Sequence, residues 1–149
     1  GFKLAQKKDR QNHTLAETVI GYDEAKKQLF VDRTRSGKAV LNPGKARQTI
    51  DLPDAGNRLR LEILLDRSSL EVFVDGGEKV LTTYIFPEEA ADGIAAFSSK
   101  EGTIIKTLKI WDLSSGKDWN NRFIVFINPQ PVSYDLCEIE NQSFAARVI

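Results

Sequence analysis

Asp32-Arg33 and Asp66-Arg67 each set a carboxylate beside a guanidinium directly after an apolar run. Such a pair can grip vicinal sugar hydroxyls, the carboxylate accepting and the guanidinium fork donating. Glu71 adds another acidic group on the polar side of its segment, and Tyr84, Trp111 and Trp119 offer aromatic faces on which a sugar ring can stack. The carbohydrate-binding candidates are therefore Asp66, Arg67, Glu71, Tyr84 and Trp119. Each has a plainer use. Asp at a strand end caps the following turn, the adjacent Arg pairs with a nearby carboxylate, and Glu71 pairs across strands with Arg60 or Arg67. Trp111 lies in a strongly patterned segment and reads as packing, whereas Trp119 lies in a polar loop and is the better ligand candidate.

Other chemistries have little to work with. His13 is the only histidine, so any Ser-His-Asp arrangement would depend on a residue in a polar loop, and no catalytic residue is assigned. Cys137 is the only cysteine, which leaves no partner for an intrachain disulfide and no Cys-based zinc set. Neither a metal site nor a cofactor is expected. Asn12-His13-Thr14 and Asn141-Gln142-Ser143 satisfy the glycosylation triplet, a pattern that also arises by chance.

The 149 residues carry 21 basic and 21 acidic side chains, 28% charged and 41% hydrophobic. With no basic excess, nucleic acid and anionic lipid are not expected partners. No apolar run approaches the roughly 20 residues that span a bilayer, and the first ten residues lack a signal-peptide core. The chain reads as soluble. Lacking any methionine, it also reads as a piece of a longer protein.

These side chains need strands to hold them. Leu59, Leu61, Ile63 and Leu65 alternate with Arg60 and Glu62, and Leu70, Val72 and Val74 alternate with Glu71, Phe73 and Asp75, the period of strands with one face in a core. Asp75-Gly76-Gly77-Glu78 supplies the turn that follows. Further strands are predicted at Glu17 to Tyr22, Gln28 to Asp32, Val80 to Phe86, Ile94 to Ser98 and Thr103 to Leu113, with about one helical turn over Pro87 to Asp92. Predicted core positions are Leu61, Ile63, Leu65, Leu70, Val72, Val74, Ile85, Ile94, Phe97, Leu108 and Ile110. So many short strands with turn signals between them predict an all-β fold, a two-sheet antiparallel sandwich of the concanavalin or jelly-roll kind. Residues 1–113 form the sandwich. Residues 114–149 are read as a linker plus a C-terminal strand, Phe123 to Ile127 being the clearest apolar run.

Two segments are more than generic. Ile20-Gly21-Tyr22-Asp23 leading to Leu29-Phe30-Val31-Asp32-Arg33-Thr34, and Leu65-Asp66-Arg67-Ser68-Ser69-Leu70-Glu71-Val72-Phe73-Val74-Asp75-Gly76-Gly77-Glu78 followed by Thr82-Thr83-Tyr84-Ile85-Phe86-Pro87, together resemble the C-terminal β-sandwich module of the family 32 glycoside hydrolases. That family contains invertases, levanases and inulinases, and the resemblance runs to Leu108-Lys109-Ile110-Trp111. It implies a partner, the N-terminal catalytic β-propeller, whose nucleophile sits in an Asn-Asp-Pro segment, acid/base in a Glu-Cys pair and third carboxylate in an Arg-Asp-Pro motif. This chain contains none of those three motifs, so no catalytic position carries over. Retaining glycoside hydrolysis needs two carboxyl groups held about 5 Å apart around a sugar ring.

The resemblance also implies a strand before Phe2-Lys3-Leu4 and an ending soon after Leu113. Val132 to Glu140, followed by Phe144-Ala145-Ala146, resembles that absent first strand, so two readings of the tail stand side by side: it closes the sandwich, within the chain or in a strand-swapped dimer, or it is an extension with no part in the fold. Three functions then stand in order. The first is a non-catalytic module supporting a fructan- or sucrose-cleaving enzyme. The second is a module that binds fructan or fructose, and the third is an autonomous glycosidase.

Overall fold

The computed structural model describes residues 1–37, 43–56, 58–99, 101, 103–112, 123–127 and 147–148. Eleven strands run in chain order as β1 Phe2–Lys8, β2 Thr14–Asp23, β3 Gln28–Arg35, β4 Arg47–Asp51, β5 Leu61–Leu65, β6 Ser69–Val74, β7 Lys79–Tyr84, β8 Gly93–Ala96, β9 Lys109–Asp112, β10 Phe123–Ile127 and β11 Arg147–Val148. They form a six-stranded sheet in the order β11-β8-β1-β2-β3-β4 and a five-stranded sheet in the order β7-β6-β5-β10-β9. Neighbours are antiparallel except β11, which lies parallel to β8.

Alternation explains how the sheets share a core. In the second sheet Leu61 faces Val74, Ile63 faces Val72 and Leu65 faces Leu70, and all six are buried. Opposite them the first sheet contributes Phe2 and Leu4 from β1, Ile20 from β2, and Leu29 and Val31 from β3. A period of two puts each set on one face, and each fully buried aliphatic side chain contributes about 1.5–3 kcal/mol. The turn between β6 and β7 closes through Gly77 N–H donating to Val74 O at 2.9 Å. Gly76 and Gly77 there have φ of 80° and 100°, a conformation that glycine adopts without a Cβ penalty.

Several expectations need correction. Phe97 does not join the core: it is half-buried and carries the Lys3 ammonium 5.7 Å from its ring centroid. The reason is parity. On β8 the buried residue is Ala96, and the next residue along a strand faces the other way. Ile94, Leu108 and Ile110 pack against the core only partly buried. The strand predicted from Thr103 is confined to Lys109–Asp112, where β10 lies opposite to receive its backbone bonds, and Ile104 before it is 76% exposed. The piece from Pro87 to Asp92 forms no helical turn. Ala91 N–H donates to Glu88 O at 3.1 Å, and Ala90 at φ 61° turns the chain out of the helical path. Strands β1 and β4 were not expected at all. Val132 to Glu140, Phe144 to Ala146 and Trp119 lie outside the described residues.

The outer face of the first sheet is polar and cross-linked. Buried Glu17 meets Lys3 at 3.5 Å and Arg35 at 3.6 Å, and accepts a 3.0 Å bond from Gln6. Arg47 reaches Asp32 at 3.3 Å while its guanidinium sits 3.7 Å above the Phe30 ring. Burial would raise the Asp32 pKa, but the Thr34 N–H and hydroxyl and the Arg47 charge outweigh it, so the carboxyl titrates below its ordinary value. A depressed native pKa stabilises the fold above the unfolded value near 4, and that contribution disappears as pH falls through the lower native value. Asp32→Asn is therefore expected to flatten the melting midpoint's pH dependence below about pH 4. Unchanged acid sensitivity in thermal melts would count against this assignment.

Candidate functional site

The sequence-predicted binding residues are gathered by the β5–β6 loop and the end of β7. Leu65 pairs with Leu70, so Asp66 to Ser68 form a short loop, tied to β7 by Ile85 N–H donating to Ser68 O at 3.1 Å. Ser69 then faces Tyr84, and Glu71 faces Thr82. Asp66, Arg67, Glu71 and Tyr84 thus meet at one corner of the second sheet's outer face. Arg67 is exposed and Tyr84 is 62% exposed, whereas Asp66 and Glu71 are half-buried. Asp66 caps its own loop, its Oδ1 accepting the Arg67 N–H at 2.7 Å.

Glu71 departs from its expected role. In register it faces Leu64 on one side and Thr82 on the other, not an arginine. Arg60 lies beyond the Leu61–Val74 pair at the opposite end of β5, where its N–H donates to Asp75 Oδ1 at 3.1 Å. Along the same outer face, β7 and its continuation expose Val80 at 46%, Thr82, Tyr84, and Phe86 at 37%. Half-buried Phe73 and Leu64 extend this surface across β6 and β5. Facing residues set Phe73 beside Val80, Glu71 beside Thr82 and Ser69 beside Tyr84, so this face interleaves apolar and polar side chains where the first sheet's outer face carries ion pairs.

A residue that sequence reasoning assigned to ion pairing holds the corner from beneath. Arg33 is 5% exposed and donates from one Nη to Tyr84 O and from the other to Lys45 O, both at 3.3 Å. It carries β3 across to the end of β7 and to the 3-10 turn Pro43–Lys45. Two backbone carbonyls are its partners, not the carboxylate expected, because parity with Leu29 and Val31 turns Arg33 into the sandwich while Asp32 faces out to Arg47. That parity was readable in the sequence. Beside the corner, β4 and β7, the edge strands of the two sheets, border an open groove of about 500 Å³ lined by Lys45, Arg47, Thr49, Ile50, Val80 and Thr82. Among the described residues no three His, Cys, Asp or Glu side chains cluster as metal ligands.

Two sheets packed face to face around one core, with the candidate corner at the edge of the second, define an all-β sandwich domain. Comparison places it among known proteins. The family model for the C-terminal part of glycosyl hydrolases family 32 matches residues 1–112, and the chain belongs to that family. The levanase of Bacillus subtilis is 36% identical over 98 residues, which is 64% of this chain and 14% of the levanase. An extracellular exo-inulinase of Aspergillus ficuum is 44% identical over 77 residues, 50% of this chain and 14% of that protein. The crystal structure of the exo-inulinase from Aspergillus awamori superposes with a TM-score of 0.51 at 36% identity, covering 61% of this chain and 17% of that one. The matched segment is the C-terminal domain of such enzymes and not their catalytic domain. The chain spans about a seventh of the length of these curated relatives.

Proposed function

We propose that this chain is the non-catalytic sandwich of a fructan- or sucrose-cleaving family 32 glycoside hydrolase, supporting that enzyme's N-terminal catalytic propeller. The observation that carries the reading is the asymmetry of the two outer faces. Val80, Tyr84 and Phe86 stand exposed along the second sheet's edge strand and its continuation, with Phe73 beside Val80, while on the first sheet Glu17 and Asp32 are matched by lysine and arginine partners. Covering such a patch with a neighbouring domain removes apolar area from water at roughly 25 cal/mol per Å². The chain alone is expected to hydrolyse neither sucrose nor levan.

A chimera tests the support role. The B. subtilis levanase carrying this chain in place of its own matching segment is expected to keep levan hydrolysis, and Val80→Lys with Tyr84→Lys in the chimera should lower its melting midpoint by several degrees. In the isolated chain the same pair should raise solubility and leave the midpoint unchanged. A chimera indifferent to both substitutions would remove the docking face.

The corner of Asp66, Arg67, Glu71 and Tyr84 favours a second reading, a fructan- or fructose-binding module. An exposed ring beside a guanidinium and two carboxylates matches what a furanose presents, hydroxyls around an apolar face. Calorimetry with levan, inulin and fructose separates the readings: heat at millimolar sugar that is lost in Tyr84→Ala supports binding, and no heat eliminates it.

A further inference from the structure

Among the described residues β9 has one hydrogen-bonded neighbour, and it is β10. The outer edge of β5 is also taken by β10, in five consecutive antiparallel pairs from Leu61 with Ile127 to Leu65 with Phe123. The family segment ends at residue 112. The strand that joins β9 to the rest of its sheet therefore lies outside the residues that match the family model. Without it the second sheet would break between β5 and β9, exposing two rows of unpaired backbone donors and acceptors.

We infer that the position between β5 and β9 is a strand-acceptor site, which takes a short apolar extended segment from outside the family region, and that Phe123–Ile127 fills it in cis. The segment suits the gap. Phe-Ile-Val-Phe-Ile is entirely β-branched or aromatic, which favours an extended strand, and it carries none of the charges or prolines that guard an exposed edge. The connection across 113–122 is longer than the two to five residues of an ordinary hairpin. A tight turn thus does not dictate the pairing of β10 with β9, and the five pairs with β5 supply the second edge that seats it.

Disulfide trapping in the full chain, with Cys137→Ser to remove the native thiol, tests the assignment. Consecutive antiparallel pairs alternate between two spacings, so Leu64→Cys with Ile124→Cys and Ile63→Cys with Val125→Cys together sample both. An intrachain disulfide in at least one variant is expected under mild oxidation. A disulfide-linked dimer would overturn filling in cis, and no cross-link in either variant would overturn the site itself. Val125→Pro, which removes a ladder donor from a central strand, should make the amides of Lys109–Asp112 exchange more than about tenfold faster while β2 and β3 stay protected. A synthetic peptide of residues 121–129 added to that variant should slow their exchange again. Protection of Lys109–Asp112 retained in Val125→Pro, or no response to the peptide, would overturn the proposal.

Discussion

Val72→Asp is expected to shift the midpoint of urea unfolding sharply downward. Val72 is fully buried, facing Ile63 on one side and Leu81 on the other. An aspartate there meets only aliphatic carbon. It must either stay ionised without a partner or take up a proton at the expense of its own solvation, and either route costs about 4 kcal/mol or more, close to the whole margin of a domain whose stability is about 5–15 kcal/mol. The adjacent position is the control. Phe73 lies on the half-buried outer face, so Phe73→Asp should cost far less in urea melts. Similar losses for both variants would mean that the assigned strand parity is wrong.

Arg33→Ala is expected to have the next largest effect, about 2–4 kcal/mol in urea or thermal melts. Two carbonyls, of Tyr84 and Lys45, would lose their charged donor, and the side chain would leave a void at the open side of the sandwich. Lysine is a poor replacement, since a single ammonium cannot reproduce a fork that spans two acceptors on different elements. Arg35→Ala, at an exposed residue two positions along, should stay close to wild type, and a loss there equal to that of Arg33→Ala would contradict the cross-sheet role.

Strands β5 and β6 were legible because Leu61, Ile63, Leu65 and then Leu70, Val72, Val74 fall on alternate positions, and Gly76-Gly77 marks the turn into β7. The gathering of Asp66, Arg67, Glu71 and Tyr84 at one corner was not stated by the sequence pattern and comes from the pairing of β6 with β7. Strand β1 was missed because its pattern is broken: Ala5 sits at φ 48°, and the ladder to β2 slips between Leu4 and Lys7. Strand β4, at the sheet edge, has no fully buried residue to reveal it. Phe97 was misplaced by counting hydrophobicity rather than parity with Ala96. That β10 would enter the middle of a sheet was not readable at all, because an apolar run states that a strand is buried and not which neighbours it will have.

The late position of β10 in the chain has a further consequence, in the time domain of synthesis. At about 5–20 residues per second, the roughly sixty residues between Leu65 and Phe123 leave the β5 edge without its partner for several seconds after it leaves the ribosome. During that interval the β5–β6–β7 meander presents an open edge beside Ile63 and Leu65, and the strand that covers it is translated only after β6 to β9. Slowing translation downstream of residue 112 should lengthen that exposure and shift the nascent chain toward chaperone capture, whereas codon changes upstream of β5 should have no such effect.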